Sequence, residues 1–420
     1  MCVPVFIIKW YAYRMFYKNA YICKYIFTYM KARYLYNDLV KYLDHKNALV
    51  ITGMRQVGKT TLMKQLYENT DRPKLWFDFE NPLSLLQFEN INYDAIYEGL
   101  KNEAAAGNKR LYVFIDEIQN FPDITKVIKY HIDKYKVKYI VTGSSNYYLR
   151  NLFPESLSGR KFLFVLRPLS FNEYLFFNDR IDKPAYGNID FKSSYSLIEY
   201  KKYEADYHIY LEYGSFPEVV TTADSDTKKL ILKNIFASFF EKDIKVLSDI
   251  KEIRELRDLI LLLVPRTGNI LDITKLSNEL GINRVKVYSY LELLQGLFFI
   301  RLLPKFSKSI DRTVAGGKKV YFSDTGILNI IGKVNDGQLF ENAVANQLSN
   351  YGELSFYNKR NTSEIDFVLN KEIAIEVKLK SSQADLKKLE KNATGIGLKQ
   401  YYLISKNFSA TEQTLFPMFL

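Results

Sequence analysis

The sequence predicts an α/β fold: a three-layer domain around a parallel sheet, then a winged helix, then a small α/β domain at the carboxy-terminal end. Three observations lead there. From Ala48 onward, short apolar runs alternate with longer amphipathic stretches, the pattern of βα units. Residues Gly53 to Thr61 read G-M-R-Q-V-G-K-T-T, a glycine-rich loop between an expected strand and an expected helix. Residues 268–304 then carry a helix-turn-helix pattern, and two strands flank a loop with Gly316-Gly317.

The first domain is expected over residues 30–175, with strands at 48–52, 74–79, 111–116, 138–143 and 162–167 and helices starting near Lys59, Tyr93, Asp123 and Asn146. Residues 176–227 are acidic and tyrosine-rich and read as a helical connector, punctuated by Gly214 and Pro217 in Y-G-S-F-P-E. The winged-helix domain is expected over 228–322. Asp272 caps a helix that stops at Gly281, and Asn283 caps a second whose Val287, Tyr288, Leu291 and Leu294 share a face. Over 323–420, a helix at 338–348 precedes strands at 364–369 and 373–379.

Composition narrows the function classes. A hydrophobic content of 47% with 25% charged residues describes a globular chain. The longest apolar run, 259–264, is far too short to span a bilayer, so no membrane partner and a cytoplasmic location are expected. Cys2 and Cys23 lie at the amino-terminal end, which excludes a disulfide scaffold or thiolate metal site in the body. His45, His131 and His208 are scattered, so a bound metal is expected to be hard and oxygen-liganded, with Mg²⁺ first in line. The net charge is +12, and residues 228–319 carry 18 Lys/Arg against 10 Asp/Glu while 320–420 balance at 11 and 11. That concentration points to an electrostatic task for the winged helix, with DNA as the expected partner. Residues 1–29 are basic and aromatic and fit either an upstream extension before a start at Met30 or an amphipathic surface-binding tail.

The glycine-rich loop dictates its own chemistry. Gly53 and Gly58 let backbone N–H groups from Val57 to Thr61 curl round phosphates at a helix N-terminus, where the dipole favours anions. This is the P-loop NTPase arrangement, and its ligands are ATP and Mg²⁺. Lys59 is placed for the β- and γ-phosphates, and the Thr60 hydroxyl for Mg²⁺. The run L-Y-V-F-I-D-E at 111–117 ends in Asp116, which faces the metal, and Glu117, which orients or deprotonates the attacking water. Ser144, Ser145 and Asn146, after the next strand, are candidates to sense the γ-phosphate or to cap a helix. Arg160 and Arg55 are candidate arginine fingers; a surface salt bridge explains either equally well.

In the last hundred residues, Glu376 and Lys378 stand two apart on an expected strand, so both emerge on one face. With a three-residue loop at 370–372, Asp366 pairs opposite Glu376, while Ile365, Phe367, Ile375 and Val377 turn to the other side. Two carboxylates and a lysine then converge as at a Mg²⁺-dependent hydrolytic centre, with Glu341 on the preceding helix as a fourth member. A half-exposed hairpin with a charged outer face gives the same pattern.

Over 30–420 the chain resembles a family of bacterial and archaeal AAA-superfamily ATPases fused to a carboxy-terminal domain of unknown function (4143). The stretches that carry the resemblance are G-M-R-Q-V-G-K-T-T, F-I-D-E-I-Q, V-T-G-S-S-N, L-S-G-R, Y-G-S-F-P-E, Y-F-S-D-T-G-I, E-I-D-F-V-L and I-E-V-K. The resemblance implies an additional-strand P-loop ATPase, a winged helix and an end similar to PD-(D/E)xK nucleases. On that likeness Asp366, Glu376 and Lys378 match the nuclease positions, with metal at Asp366 and Glu376, and Glu341 matches the helix glutamate. The expected function is an ATPase coupling nucleotide state to DNA-associated modules, with a second copy or a protein as further partner. The alternative is a nucleotide-dependent switch that binds a protein and carries an idle nuclease fold.

Overall fold

The computed structural model describes residues 31–144, 159–184, 189, 191, 195–244, 249–307, 309, 313, 316–359 and 363–420. The expectations placed on residues 1–29, Ser145 and Asn146 lie outside them. Two compact units emerge, one from the described parts of Met1–Thr52, Gly58–Gly143 and Arg150–Val165, the other from those of Gly53–Val57, Ser144–Leu149 and Leu166–Leu420. Among the described residues no helix is long and apolar enough to cross a membrane.

The first unit is built on five parallel strands, β1 (Ala48–Thr52), β2 (Lys74–Asp78), β3 (Tyr112–Asp116), β4 (Lys138–Gly143) and β5 (Lys161–Val165), in the order β2-β3-β4-β1-β5. Strands β1, β3 and β4 are buried along their whole length. That is why they read as near-continuous apolar runs: helices cover both faces of a parallel sheet. The main helices are α1 (Lys59–Glu68), α2 (Tyr93–Glu103) and α3 (Ile124–Tyr135). The Asn92 side chain starts α2 by accepting from the N–H groups of Asp94 and Ala95. On α3, Ile124, Val127, Ile128, His131 and Ile132 form the buried stripe. His131 Nε2 lies 2.8 Å from the Tyr93 carbonyl and its Nδ1 lies 2.7 Å from the Tyr139 hydroxyl. A carbonyl only accepts, so in the neutral ring the proton sits on Nε2 and Nδ1 accepts from Tyr139. Burial holds the His131 pKa below its ordinary value.

The second unit begins with α4 (Leu197–Tyr213), α5 (Ser225–Ser238) and α6 (Ile250–Leu263). The helix-turn-helix follows as α7 (Ile273–Leu280) and α8 (Arg284–Gly296). Asp272 accepts from the Lys275 N–H, Gly281 closes α7 at φ 64°, and Asn283 accepts from the Lys286 N–H. The buried face of α8 is Val287, Tyr290, Leu291, Leu293 and Leu294. Tyr288, expected inside, is 55% exposed. At about 100° per residue the buried arc runs from Leu293 through Tyr290, Leu294 and Val287 to Leu291, and Tyr288 falls roughly 60° beyond its edge. Strands β6 (Ile300–Leu303) and β7 (Lys319–Phe322) then pair as an antiparallel ribbon.

Helices α9 (Thr325–Ile331) and α10 (Asp336–Leu348) lead into a second sheet. Its strands are β8 (Leu354–Lys359), β9 (Ser363–Leu369), β10 (Ile373–Lys378), β11 (Gln400–Ser405) and β12 (Thr414–Leu415), ordered β12-β11-β10-β9-β8, with α11 (Gln383–Gly395) between β10 and β11. Asn370 and Lys371, at φ 52° and 62°, make the tight turn between β9 and β10.

Two motifs of the sequence meet in this unit. Ser215 of Y-G-S-F-P-E donates its N–H (2.7 Å) and hydroxyl (2.9 Å) to Asp324 Oδ2 of Y-F-S-D-T-G-I, and Oδ1 accepts from the Ile327 N–H at 2.9 Å. A Cβ on Gly214 would lie 2.2 Å from Asp324 Oδ1, and one on Gly326 would lie 2.1 Å from the Tyr213 carbonyl oxygen. Only glycine permits such approach. The pair is a structural clasp.

Candidate functional site

The loop after β1 uses its glycines where backbone geometry demands them. Gly53 has φ 149°, and a Cβ there would sit 2.1 Å from the Leu166 carbonyl oxygen. Gly58 adopts φ 93° at the N-cap of α1. Val57 and Lys59 are buried, Thr60 is half-buried and Thr61 is exposed on the first turn of α1. The Thr52 hydroxyl, at the end of β1, is buried with no hydrogen-bond partner among the described residues.

Asp116 ends β3, 5% exposed, and accepts hydrogen bonds from the hydroxyls of Thr60 and Thr142. Burial raises its pKa; Glu117 and Asp78 push the same way, and the two threonine bonds oppose them. Glu117 follows at φ 52°, a left-handed conformation uncommon for a side chain of this size. Its N–H donates to Thr142 Oγ1 at 3.2 Å, and Gln119 Nε2 donates to its carboxylate. Thr142 therefore holds both acidic residues. Sequence reasoning passed over it, although a threonine inside the buried run K-Y-I-V-T-G must find a partner for its hydroxyl.

A hydroxyl and a carboxylate in direct contact at the mouth of a phosphate loop suit a Mg²⁺ ion that keeps waters and phosphate oxygens as its other ligands. The donor set fits. Ser144 is buried just past β4. Both candidate arginine fingers stand in ion pairs, the alternative left open for each. Arg55 Nε donates to Asp243 at 3.2 Å, and both side chains are largely buried, so this guanidinium is already engaged. Arg160 pairs with Asp133 at 2.7 Å, and its carbonyl accepts from the Ala48 N–H, at the start of β1. The P-loop leaves the other end of β1, about 13 Å away at ~3.3 Å per residue, so Arg160 stands at the opposite end of the strand from that loop.

The carboxylates of the last domain do gather, but not as the hairpin pattern foretold. Between the pairs Ser355↔Val368 and Tyr357↔Ile365, β8 contributes one residue, Phe356, and β9 contributes two, Asp366 and Phe367. This bulge reverses the alternation beyond it. Ile365 consequently packs with Val368 and Ala374, away from Phe367 and Ile375. The β9–β10 ladder stops at Ile375↔Phe367, and Asp366 Oδ2 instead accepts from the Val377 N–H at 2.8 Å.

Around Asp366 stand Glu341 from α10, Glu364, and Lys319 from β7. Lys319 Nζ is 3.0 Å from Glu364, 3.6 Å from Glu341 and 3.8 Å from Asp366, with its side chain 4% exposed. Burial opposes the Lys319 charge, but the three carboxylates outweigh it and hold its pKa above the ordinary value. Tyr321 donates to Glu341 at 2.6 Å, and Lys378 pairs with Glu376 at 2.8 Å. Glu376 Oε2 is buried with no hydrogen-bond partner among the described residues. Burial, aided by Asp366, pushes both Glu341 and Glu376 up to about 7. Asp366 and Glu376 were expected to share a metal. Among the described residues, however, no three His, Cys, Asp or Glu side chains converge to hold one. The donor set does not fit: Asp366 already faces Lys319, and Glu376 already pairs with Lys378. Lys319 was not foreseen, since its partners lie 22 to 47 positions away in the sequence.

Residues 45–175 match the family described as AAA domain, 204–338 a domain of unknown function (DUF8612) and 336–415 a domain of unknown function (DUF4143). The chain is 28% identical over 377 residues to the uncharacterized protein MJ1544 of Methanocaldococcus jannaschii, covering 86% of this chain and 82% of that one. It is 27% identical over 348 residues to an uncharacterized protein of Haemophilus influenzae, covering 80% and 82%. Among solved structures, the Walker-type ATPase PABY2304 of Pyrococcus abyssi is similar at a TM-score of 0.46 and 15% identity, over 70% of this chain and 94% of that one.

Proposed function

Since the chain carries an AAA-type P-loop ATPase domain followed by a domain of unknown function (DUF4143), we propose that it hydrolyses ATP with Mg²⁺ and that its nucleotide state governs DNA association through α7 and α8. The observation that carries the first part is the contact of Thr60, Asp116 and Thr142 beside Glu117. Lys59 and the N–H groups opening α1 bind the β- and γ-phosphates. Thr60 and Asp116 would hold Mg²⁺, which when bound neutralises charge on the transferring phosphoryl group. Glu117 orients the attacking water and takes its proton, and Thr142 fixes the position of both acids. Arg160 serves as a finger only toward the nucleotide of a second copy.

Isothermal titration and phosphate release test this. Lys59→Ala is expected to lose ATP binding, and Glu117→Gln to bind and not turn over. Equal hydrolysis by the two variants removes the assignment.

DNA association is supported by two capped helices followed by a ribbon, the exposed Arg284 and Lys318, and the excess of 18 basic over 10 acidic residues in 228–319. Lys286, beside Arg284, is committed to Glu255 at 2.7 Å and contributes little. A second reading draws on the outward face of α8, where Val285 is 74% and Tyr288 55% exposed. There a protein partner covers the helix. Salt separates the two: DNA affinity falls steeply with ionic strength, and Arg284→Ala should weaken it evenly across sequences. An affinity indifferent to salt and to Arg284 favours the protein partner. Strand cleavage is not part of the proposal.

A further inference from the structure

We propose that Lys319 is a resident counter-cation, occupying the centre of the carboxy-terminal acidic cluster and making the cluster refuse divalent metal. The ammonium faces Glu364, Glu341 and Asp366 at 3.0, 3.6 and 3.8 Å, on side chains drawn from one helix and one strand. Those are nitrogen-to-oxygen contact distances. A Mg²⁺ or Ca²⁺ ion needs its oxygens at about 2.0–2.6 Å, so the acids are spread for an ammonium. A divalent ion placed between them would also meet the lysine's own charge at contact range.

The lysine is not free to withdraw. Its backbone pairs with Leu303 on one side and with Ile270 on the other, and its ammonium lies 5.5 Å from the centre of the Phe356 ring. Phe356 is the residue opposite the bulge that aims Asp366. Lys378 pairs with Glu376 Oε1, Glu341 also accepts from Tyr321, and Asp366 also accepts from the Val377 N–H. A layout that resembles a metal centre is thus completed by cations supplied covalently. The domain keeps its shape without metal, and its acids are not available for hydrolytic chemistry. This inference stands apart from the nucleotide site and needs no nucleotide in its test.

The experiment counts Mn²⁺ bound to the full chain without nucleotide, by electron paramagnetic resonance. Wild type and Asp366→Asn are expected to bind equal numbers of ions, because Asp366 holds none. Lys319→Gln should gain one ion, lost again in Lys319→Gln/Asp366→Asn, while Lys319→Arg behaves as wild type. Any ion at the P-loop is common to all five proteins and cancels. An ion bound by wild type and removed by Asp366→Asn overturns the proposal, as does a folded Lys319→Gln that gains none. If Lys319→Gln fails to fold, the comparison of wild type with Asp366→Asn still decides.

Discussion

Replacing Asp324 by alanine tests whether the two motifs that meet at Ser215 are a clasp holding the second unit together. The carboxylate accepts from the Ser215 N–H, the Ser215 hydroxyl and the Ile327 N–H, all buried. Each buried donor deprived of its acceptor costs about 1–3 kcal/mol, so three give roughly 3–9 kcal/mol. Two corrections lower the figure. The serine hydroxyl can rotate, and the variant no longer buries a carboxyl group whose ionisation burial resists. The expected loss is about 3–5 kcal/mol, a large share of a domain's usual ~5–15 kcal/mol. Asp324→Asn keeps one oxygen but turns an amide N–H toward a donor, and falls in between. Urea unfolding, with hydrogen exchange followed at the Ser215 and Ile327 amides, measures the change. A loss below about 1 kcal/mol for Asp324→Ala would mean that the contact is incidental.

Thr142→Val removes the hydroxyl that holds Asp116 and the Glu117 N–H; steady-state ATP hydrolysis should drop by roughly 10- to 100-fold, the kinetic equivalent of ~1–3 kcal/mol, with ATP binding kept. Because burial depresses the His131 pKa, the unfolded chain binds a proton that the folded one refuses. Stability of the first unit should therefore fall as pH drops below the ordinary histidine value of about 6.5, by up to ~1.4 kcal/mol per pH unit. His131→Gln should flatten that slope in melting curves between pH 5 and 8, and identical slopes would clear His131 of the effect. Arg160→Ala should leave hydrolysis unchanged at dilutions where the chain is monomeric and lower it only where copies associate, as read from activity against concentration alongside light scattering.

Much of this was legible from residues alone. The five parallel strands announced themselves because burial on both faces forces apolar runs, and the helix-turn-helix because Asp272, Gly281 and Asn283 mark its ends chemically. Strand β8, L-S-F-Y-N-K, has no clean alternation and was not foreseen. Nor was α11, although Ser382 and Asp385 cap it reciprocally. The bulge at Asp366–Phe367 is invisible in sequence, because an extra residue exists only relative to the partner strand. For the same reason Lys319 read as an ordinary strand opening. The P-loop residues were singled out by motif, whereas the choice between finger and ion pair for Arg55 and Arg160 stayed open because sequence shows a charge and not its neighbour.

The order of the first sheet sets how far apart the loop after β1 and the acid that ends β3 begin. Thr52 and Asp116 end strands that are not neighbours, since β4 runs between them. Two inter-strand steps of about 4.8 Å set the gap at roughly 10 Å, and hydrogen-bonded backbone maintains it. The sheet works as a caliper with a locked jaw. Side-chain substitutions alter what lines the gap, but its width belongs to the backbone.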